Sequence, residues 1–304
     1  MIPFFFFLFG IVIGSFLNVC ISRIPEGNSI ISPGSRCPRC EKPIKPYDNI
    51  PILSWLVLRG KCRNCHLPIS PMYPIVEFLT GAIFVLTYYE FGVTLFAFKW
   101  LFFACLLIIL CLTDLRTRLL PDAVNWFGFG FGLALAVGIP LNDVLGAGLL
   151  HWIGLSFLPP PAFRVLHSLL APLLFSGFLW LFGFAYWLWK KREGLGLGDV
   201  KMIAMIGVFL GIEGTLLTLL VGSLLGVAIG VPNFLLRYAL GWKRGVAERA
   251  NRRGLGSVRS VQWEIARRYQ IPFGTFLGIG ALLVVYTLPW LGISFLYGYP
   301  VLRP

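Results

Sequence analysis

The chain has 304 residues, of which 57% are hydrophobic and only 13% charged, a balance that excludes both an ordinary soluble domain and a disordered chain. Its apolar runs are long enough to cross a bilayer, so the expected fold class is an all-α polytopic membrane protein. The net charge of +13 would suit a nucleic-acid binder, but in a membrane chain positive residues first mark the cytoplasmic loops, and no nucleic-acid partner is expected.

All but Lys99, Arg164 and Arg303 of the 26 Lys and Arg residues fall in four groups, at 23–63, at Arg116 and Arg118, at 190–201 and at 237–268. If all four face the cytoplasm, an even number of crossings must separate successive groups. The apolar runs supply a single span at 2–22, pairs at 74–92 and 94–112, 122–139 and 167–189, and 200–213 and 215–236, and a last span at 272–292. This predicts about eight transmembrane helices with both termini outside. The run at 200–213 reaches only ~21 Å against a hydrocarbon core of ~30 Å, so it is expected to tilt or to begin inside the membrane.

The first run, MIPFFFFLFGIVIGSFLNVC, has no basic leader and no small-x-small cleavage site, and reads as a retained first helix rather than a signal peptide. Asn18 within it is expected to bond a neighbouring helix. Residues 23–73 follow as a soluble insert rich in proline and charge. It contains a short repeat, CPRCEKPI at 37–44 and CRNCHLPI at 62–69. In a cytoplasmic loop thiols stay reduced, so Cys37, Cys40, Cys62 and Cys65 are expected to hold Zn²⁺ as a small zinc-ribbon-like unit rather than to form disulfides. His66 is a weaker candidate ligand, because it directly follows Cys65. Cys20, Cys105 and Cys111 lie in apolar helices and read as packing residues.

Residues 74–304 then form a seven-helix membrane core. Glu77, in YPIVEFLTG, reads as a carboxylate at the start of its helix. The segment 140–166, with HWIGLSFLPPPAF, reads as an outer loop packed at the interface. The basic stretch 243–270 reads as a cytoplasmic loop attracted to anionic lipid.

Two acids stand out, because a charge inside the bilayer costs on the order of 2.5–3.5 kcal/mol. Asp114 closes the third helix in LTDLRTRLLPD, and Asp199 opens the sixth in GLGDVK. The charge pattern puts both at the cytoplasmic face. Two carboxylates in close approach cannot both ionise cheaply, so one is held protonated and the pair offers an acid and a base together. Gly196 and Gly198 would allow a tight turn and let substrate come close to Asp199. The residues alone leave open that each aspartate merely ends a helix, Asp199 as an N-terminal cap. A dinucleotide-binding reading of the glycines fails, since the third glycine and the preceding strand are missing.

Taken together, GSFLNVCISRIP at 14–25, the CxxC pairs around NIPILSWL at 49–56, YPIVE at 73–77, DLRTRLLPD at 114–122, GLGDVK at 196–201 and IPFGTFLGIGA at 271–281 resemble the type IV prepilin peptidases, also called prepilin leader peptidase and N-methyltransferase. The resemblance implies that Asp114 and Asp199 are the catalytic pair of a GxGD-type intramembrane aspartic protease and that the four cysteines bind zinc. It implies type IV prepilins or pseudopilins as substrates, cut after a glycine at the cytoplasmic face of the bacterial inner membrane. It also implies S-adenosylmethionine as methyl donor for the new N-terminal residue, although no stretch shows a nucleotide-type fold for it. Glu26, Glu41 or Asp48 would be the local acids available to a basic leader. Two other classes stay open on the residues alone, a proton- or cation-coupled transporter and a non-catalytic pilus or secretion assembly scaffold.

Overall fold

The computed structural model describes residues 1–191, 196–236 and 272–287. The basic stretch 243–270 and the end of the expected 272–292 span lie outside them. Among the described residues the protein is all helix, apart from two isolated bridges in the insert. In chain order the helices are α1 (Ile2–Arg23), α2 (Leu53–Val57), α3 (Met72–Phe91), α4 (Leu95–Thr117), α5 (Asp122–Gly138), α6 (Val144–Trp152), α7 (Pro160–Ala171), α8 (Gly177–Lys190), α9 (Leu197–Leu225) and α10 (Phe273–Thr287). Backbone amides have no partner in hydrocarbon, so a chain this apolar can cross only as helices. Five segments are long and apolar enough to do so: Ile2–Glu26, Met72–Phe91, Leu95–Thr117, Pro160–Lys190 and Leu197–Leu236. Helices α5 and α10 are shorter, at 17 and 15 residues.

Helix α4 is the axis of the bundle. Phe103, Leu107 and Leu110 on it are wholly enclosed, and they pack with Met202, Ile206 and Phe209 of α9 and Leu277 and Val284 of α10 in one core. The Phe103 and Phe209 rings stack with centroids 4.6 Å apart. Helices α1 and α3 pack on each other and on α4 from the other side. Asn18 makes the expected interhelical bond, its Nδ2 donating to the Tyr73 carbonyl at 3.0 Å.

The outer segment is more ordered than the loop expected at 140–166. It holds α6 and the first half of α7, and the span expected at 167–189 starts at Pro160, where a proline at the first helical turn sets the helix going. A π-helical turn at Pro172–Ser176 joins α7 to α8, because Pro172 has no amide to give to the regular ladder.

The two short spans expected at 200–213 and 215–236 appear as α9 and its continuation to Leu236, with a break at Gly211 (φ 72°, ψ −167°). In a straight helix Met202 and Gly222 would lie about 30 Å apart. Yet both meet one stretch of α10: a Cβ at Gly278 would fall 3.1 Å from Met202 Cε, and one at Gly222 would fall 3.1 Å from Leu277 Cα. The chain therefore reverses at Gly211. Asp143 pins the reversal, with its Oδ2 accepting from Ile212 N at 2.7 Å and its Oδ1 from Glu213 N at 3.4 Å and Gly146 N at 3.2 Å. Burial opposes its charge, but His167, whose Nε2 lies 3.4 Å from Oδ2, and the amides of Ile212 and Gly146 hold its carboxyl below the ordinary range. Glu213 returns the tie by accepting from Leu145 N at 3.0 Å.

Gly211 has a backbone conformation that side chains avoid, and a Cβ there would strike the Asp143 carboxylate 2.6 Å away. Gly211→Ala is expected to destabilise the protein by about 1–3 kcal/mol or more. Asp143→Ala, which strips the acceptor from these amides, is expected to cost a similar ~1–3 kcal/mol. Both effects should appear as lower thermal midpoints in detergent.

Candidate active site and metal centre

Asp114 lies in the last turn of α4 and is 6% exposed. Its orientation is fixed from α10: Thr275 N donates to Oδ2 at 2.7 Å and Thr275 Oγ1 donates to the same oxygen at 2.9 Å. The hydroxyl also lies 3.0 Å from the Cys111 carbonyl, one helical turn back. One carboxylate oxygen of Asp114 is thus doubly held, and no bond to the other is present among the described residues.

Asp199 lies in the first turn of α9 and is half-buried. It is not the cap of that helix, a position held by Gly196, and among the described residues its carboxylate has no hydrogen-bond partner. Leu120, in the short link from α4 to α5, sits between the helices of the two aspartates. A Cβ at Gly198 would fall 3.1 Å from Leu120 Cβ, and one at Gly274 would fall 3.0 Å from Leu120 Cδ1 and 3.1 Å from Asp114 Oδ2. Glycine at 198 therefore lets the Asp199 backbone close on the α4–α5 link. Lys201 Nζ and Asp122 Oδ2 meet at 2.6 Å and hold the start of α9 beside the start of α5. Being largely exposed, this pair guides register more than it adds stability, at about 0–1 kcal/mol.

The structure thus brings Asp114 and Asp199 to one end of the bundle, opposite the Gly211 reversal. Sequence reasoning missed Thr275, Leu120 and the Lys201–Asp122 pair. The available signal for Thr275 was a hydroxyl directly after a glycine in the otherwise apolar IPFGTFLGIGA. It also missed Asp143 and His167, which serve the opposite end.

The four cysteines converge as the repeat implied. Their Sγ atoms all lie within 4.8 Å of one another, and Cys37 and Cys65 are 3.9 Å apart. Tetrahedral Zn²⁺ with Zn–S near 2.3 Å would set sulfurs at ~3.8 Å, so the cluster fits zinc. The two knuckles are built alike. Glu41 N donates to the Cys37 carbonyl and His66 N to the Cys62 carbonyl, both at 2.9 Å, and Glu41 and His66 each take φ 56°. His66 is spent on that turn and stands outside the cluster. Amides of Cys65 and Asn64 bond the Cys62 sulfur and lower its thiol to about 7, whereas the Cys65 thiol, despite a bond from Leu67, is raised by burial and by its sulfur neighbours. One thiol is thus ready to ionise near neutral pH, and a cation would be needed to hold all four as thiolates.

Asp48, a local acid considered for leader recognition, is taken by a two-pronged bond from Arg63, with contacts of 2.6, 2.8 and 3.0 Å. That guanidinium, through hydrogen bonding, holds its carboxyl below the usual range. Glu77 does not act as a carboxylate at a helix start. It is buried, and its Oε2 accepts from Ile52 N at 2.7 Å, tying the insert to α3.

Elemental analysis of the purified protein is expected to find about one zinc per chain, with loss of metal in Cys37→Ser or Cys62→Ser and retention in His66→Ala.

Residues 8–91 match the bacterial peptidase A24 N-terminal domain, and residues 101–231 match the type IV leader peptidase family. The chain is 40% identical over 223 residues to a prepilin leader peptidase/N-methyltransferase of Myxococcus xanthus, covering 72% of this chain and 59% of that one. It is 37% identical over 228 residues to that of Klebsiella pneumoniae, covering 72% and 90%, and 35% identical over 207 residues to that of Bacillus subtilis, covering 68% and 73%. No solved structure matches. With both domains matched in order and the paired acids at one end of a helical membrane bundle, the chain belongs to the type IV leader peptidase family.

Proposed function

We propose that the protein cleaves the leader from type IV prepilins or pseudopilins with Asp114 and Asp199 as the catalytic pair. The observation that carries this reading is Asp114, enclosed in an apolar bundle, held by two donors of Thr275 and brought to the same end of the bundle, around Leu120, as Asp199 on another helix. A carboxylate kept in such a place without an ion pair is difficult to explain as packing. In the reaction one carboxylate takes a proton from water as it attacks the scissile carbonyl, while the other gives its proton to the carbonyl oxygen. As the tetrahedral intermediate collapses, the first returns its proton to the leaving amine. Thr275 keeps the Asp114 carboxylate from rotating out of line.

The orientation follows from the basic groups. Arg116, Arg118, Lys190, Lys191 and Lys201 stand at the end of the bundle that carries the two aspartates, which supports reading that end as cytoplasmic in the inner membrane. A pilin whose basic leader stays in the cytoplasm and whose apolar helix lies in the bilayer would offer its scissile bond, after a glycine, at this depth. With Asp48 already paired, recognition rests on the pilin helix and the scissile glycine more than on acids of the insert.

The same relatives carry an N-methyltransferase name, and the chain is read as adding a methyl group from S-adenosylmethionine to the new N-terminal amine, with S-adenosylhomocysteine released. Zinc in the insert would order the loop between α1 and α3; it is not given a part in peptide cleavage. The domain plan that follows is the first helix at 1–22, the zinc insert at 23–73 and the membrane catalytic core at 74–304. A scaffold reading makes the opposite demand, that the cysteines matter and the aspartates do not.

Cleavage of full-length prepilin in detergent, read by product mass, tests these assignments. Asp114→Asn and Asp199→Asn should each lower kcat by about 10²–10⁴ with folding intact. Thr275→Val should lower kcat by about tenfold with little change in KM, while Thr275→Ser, which keeps both donors, stays near wild type. Product from wild type with S-adenosylmethionine should gain ~14 Da. Full cleavage by either Asn variant would remove the aspartyl mechanism.

A further inference from the structure

The insert carries an apolar face that the zinc cluster does not use. Leu53, Leu56 and Val57 on α2 are 60%, 57% and 75% exposed, and Ile50 just before them is half-exposed. An apolar face of this kind in a water-facing loop would be a liability. Its depth relative to the bundle explains it.

Helices α1 and α3 touch at Gly14 and Glu77, where a Cβ on the glycine would fall 2.7 Å from Glu77 Cα. From Gly14 to Arg23, the last residue of α1, the helix rises about 14 Å. Glu77 therefore stands well inside the end of α1, and its side chain is far shorter than that distance. The Ile52 amide, 2.7 Å from Glu77 Oε2, is drawn to the membrane side of Arg23. Helix α2 starts at the next residue. Ile75 and Phe78, on α3 on either side of Glu77 in the sequence, are also exposed.

The side-chain polar groups of this segment and its Ile52 amide are already satisfied within the protein. Ile52 N donates to Glu77, Ser54 Oγ to the Tyr47 carbonyl at 2.9 Å and Trp55 Nε1 to the Ile69 carbonyl at 3.2 Å. Internal satisfaction is what hydrocarbon demands and what a polar partner does not. Directly after α2 come Arg59 and Lys61, both exposed, a basic edge complementary to anionic headgroups.

We propose that residues 50–58 re-enter the cytoplasmic leaflet, with Leu53, Leu56 and Val57 among the acyl chains and Arg59 and Lys61 at anionic lipid headgroups. The zinc insert is thereby anchored flat on the membrane beside α1 and α3. The occupant of the α2 face is lipid, not the pilin helix and not a second copy of the chain. This inference does not depend on the catalytic reading, and its test does not use activity.

The test places the photoreactive residue p-benzoylphenylalanine at Val57, and separately at Leu53, in the zinc-loaded full chain. The protein is put in nanodiscs of phosphatidylethanolamine and phosphatidylglycerol and irradiated with and without prepilin. Retained zinc reports that the insert is folded. Phospholipid adducts at 53 and 57 are expected to exceed those at Asn64, an exposed control in the insert, by about tenfold. Phosphatidylglycerol is expected to be enriched in them about twofold over its share of the bilayer. Adducts to prepilin or to a second chain in place of lipid, or lipid adducts no more frequent than at Asn64, would overturn the proposal. Lipid adducts without phosphatidylglycerol enrichment would overturn the headgroup assignment to Arg59 and Lys61.

Discussion

The reversal of α9 at Gly211 is the constraint on which the rest of the bundle depends. A membrane chain cannot leave amides bare at a turn between two helices, and here the turn is closed by one buried carboxylate, Asp143, accepting from Ile212, Glu213 and Gly146. The reversal lays both halves of α9 against α10. It also sends the first half back to the opposite end, where Asp199 begins it. Helix α10 in turn delivers Thr275 to Asp114. A bend at one face thus sets the geometry of the acids at the other.

The two ends use carboxylates in different ways. At Asp143 three amides and His167 surround the group, so its charge is shared out and it acts as a structural pin. At the other end Thr275 holds a single oxygen of Asp114, and Asp199 is left without a hydrogen-bond partner among the described residues. Groups satisfied on all sides are poor reagents, whereas a carboxylate oriented but not saturated can still exchange a proton. The same distinction separates Asp48, locked by Arg63, from an acid free to meet a substrate.

The insert follows a related logic. Its four-cysteine cluster is the centre of a loop too short to build a core of its own, since Cys37 and Cys62 are almost the only apolar groups it buries. What orients it on the bundle is Glu77, a residue whose sequence position suggested nothing more than the start of a helix. A buried carboxylate accepting a loop amide spans two parts of the chain that no local pattern connects.

The sequence by itself determined the class of the protein, because apolar runs and clustered basic residues obey the bilayer directly. It also determined the convergence of the four cysteines, since two similar CxxC turns need only their own local geometry to present sulfur. Asp114 and Asp199 were legible as charges in the wrong solvent, and the separation of 200–213 from 215–236 into two spans was legible from the basic groups, which demand an even number of crossings. What it could not determine were the partners of those groups. Thr275 bonds Asp114 across 161 positions and Ile212 bonds Asp143 across 69. A threonine or an aspartate at a helix end has many local uses, so composition does not say which one applies. Only the tertiary packing of α4, α9 and α10 decided that Thr275 would hold an acid, that Asp143 would pin a turn and that Glu77 would hold the insert, because hydrogen bonds between distant segments exist only once the helices have met.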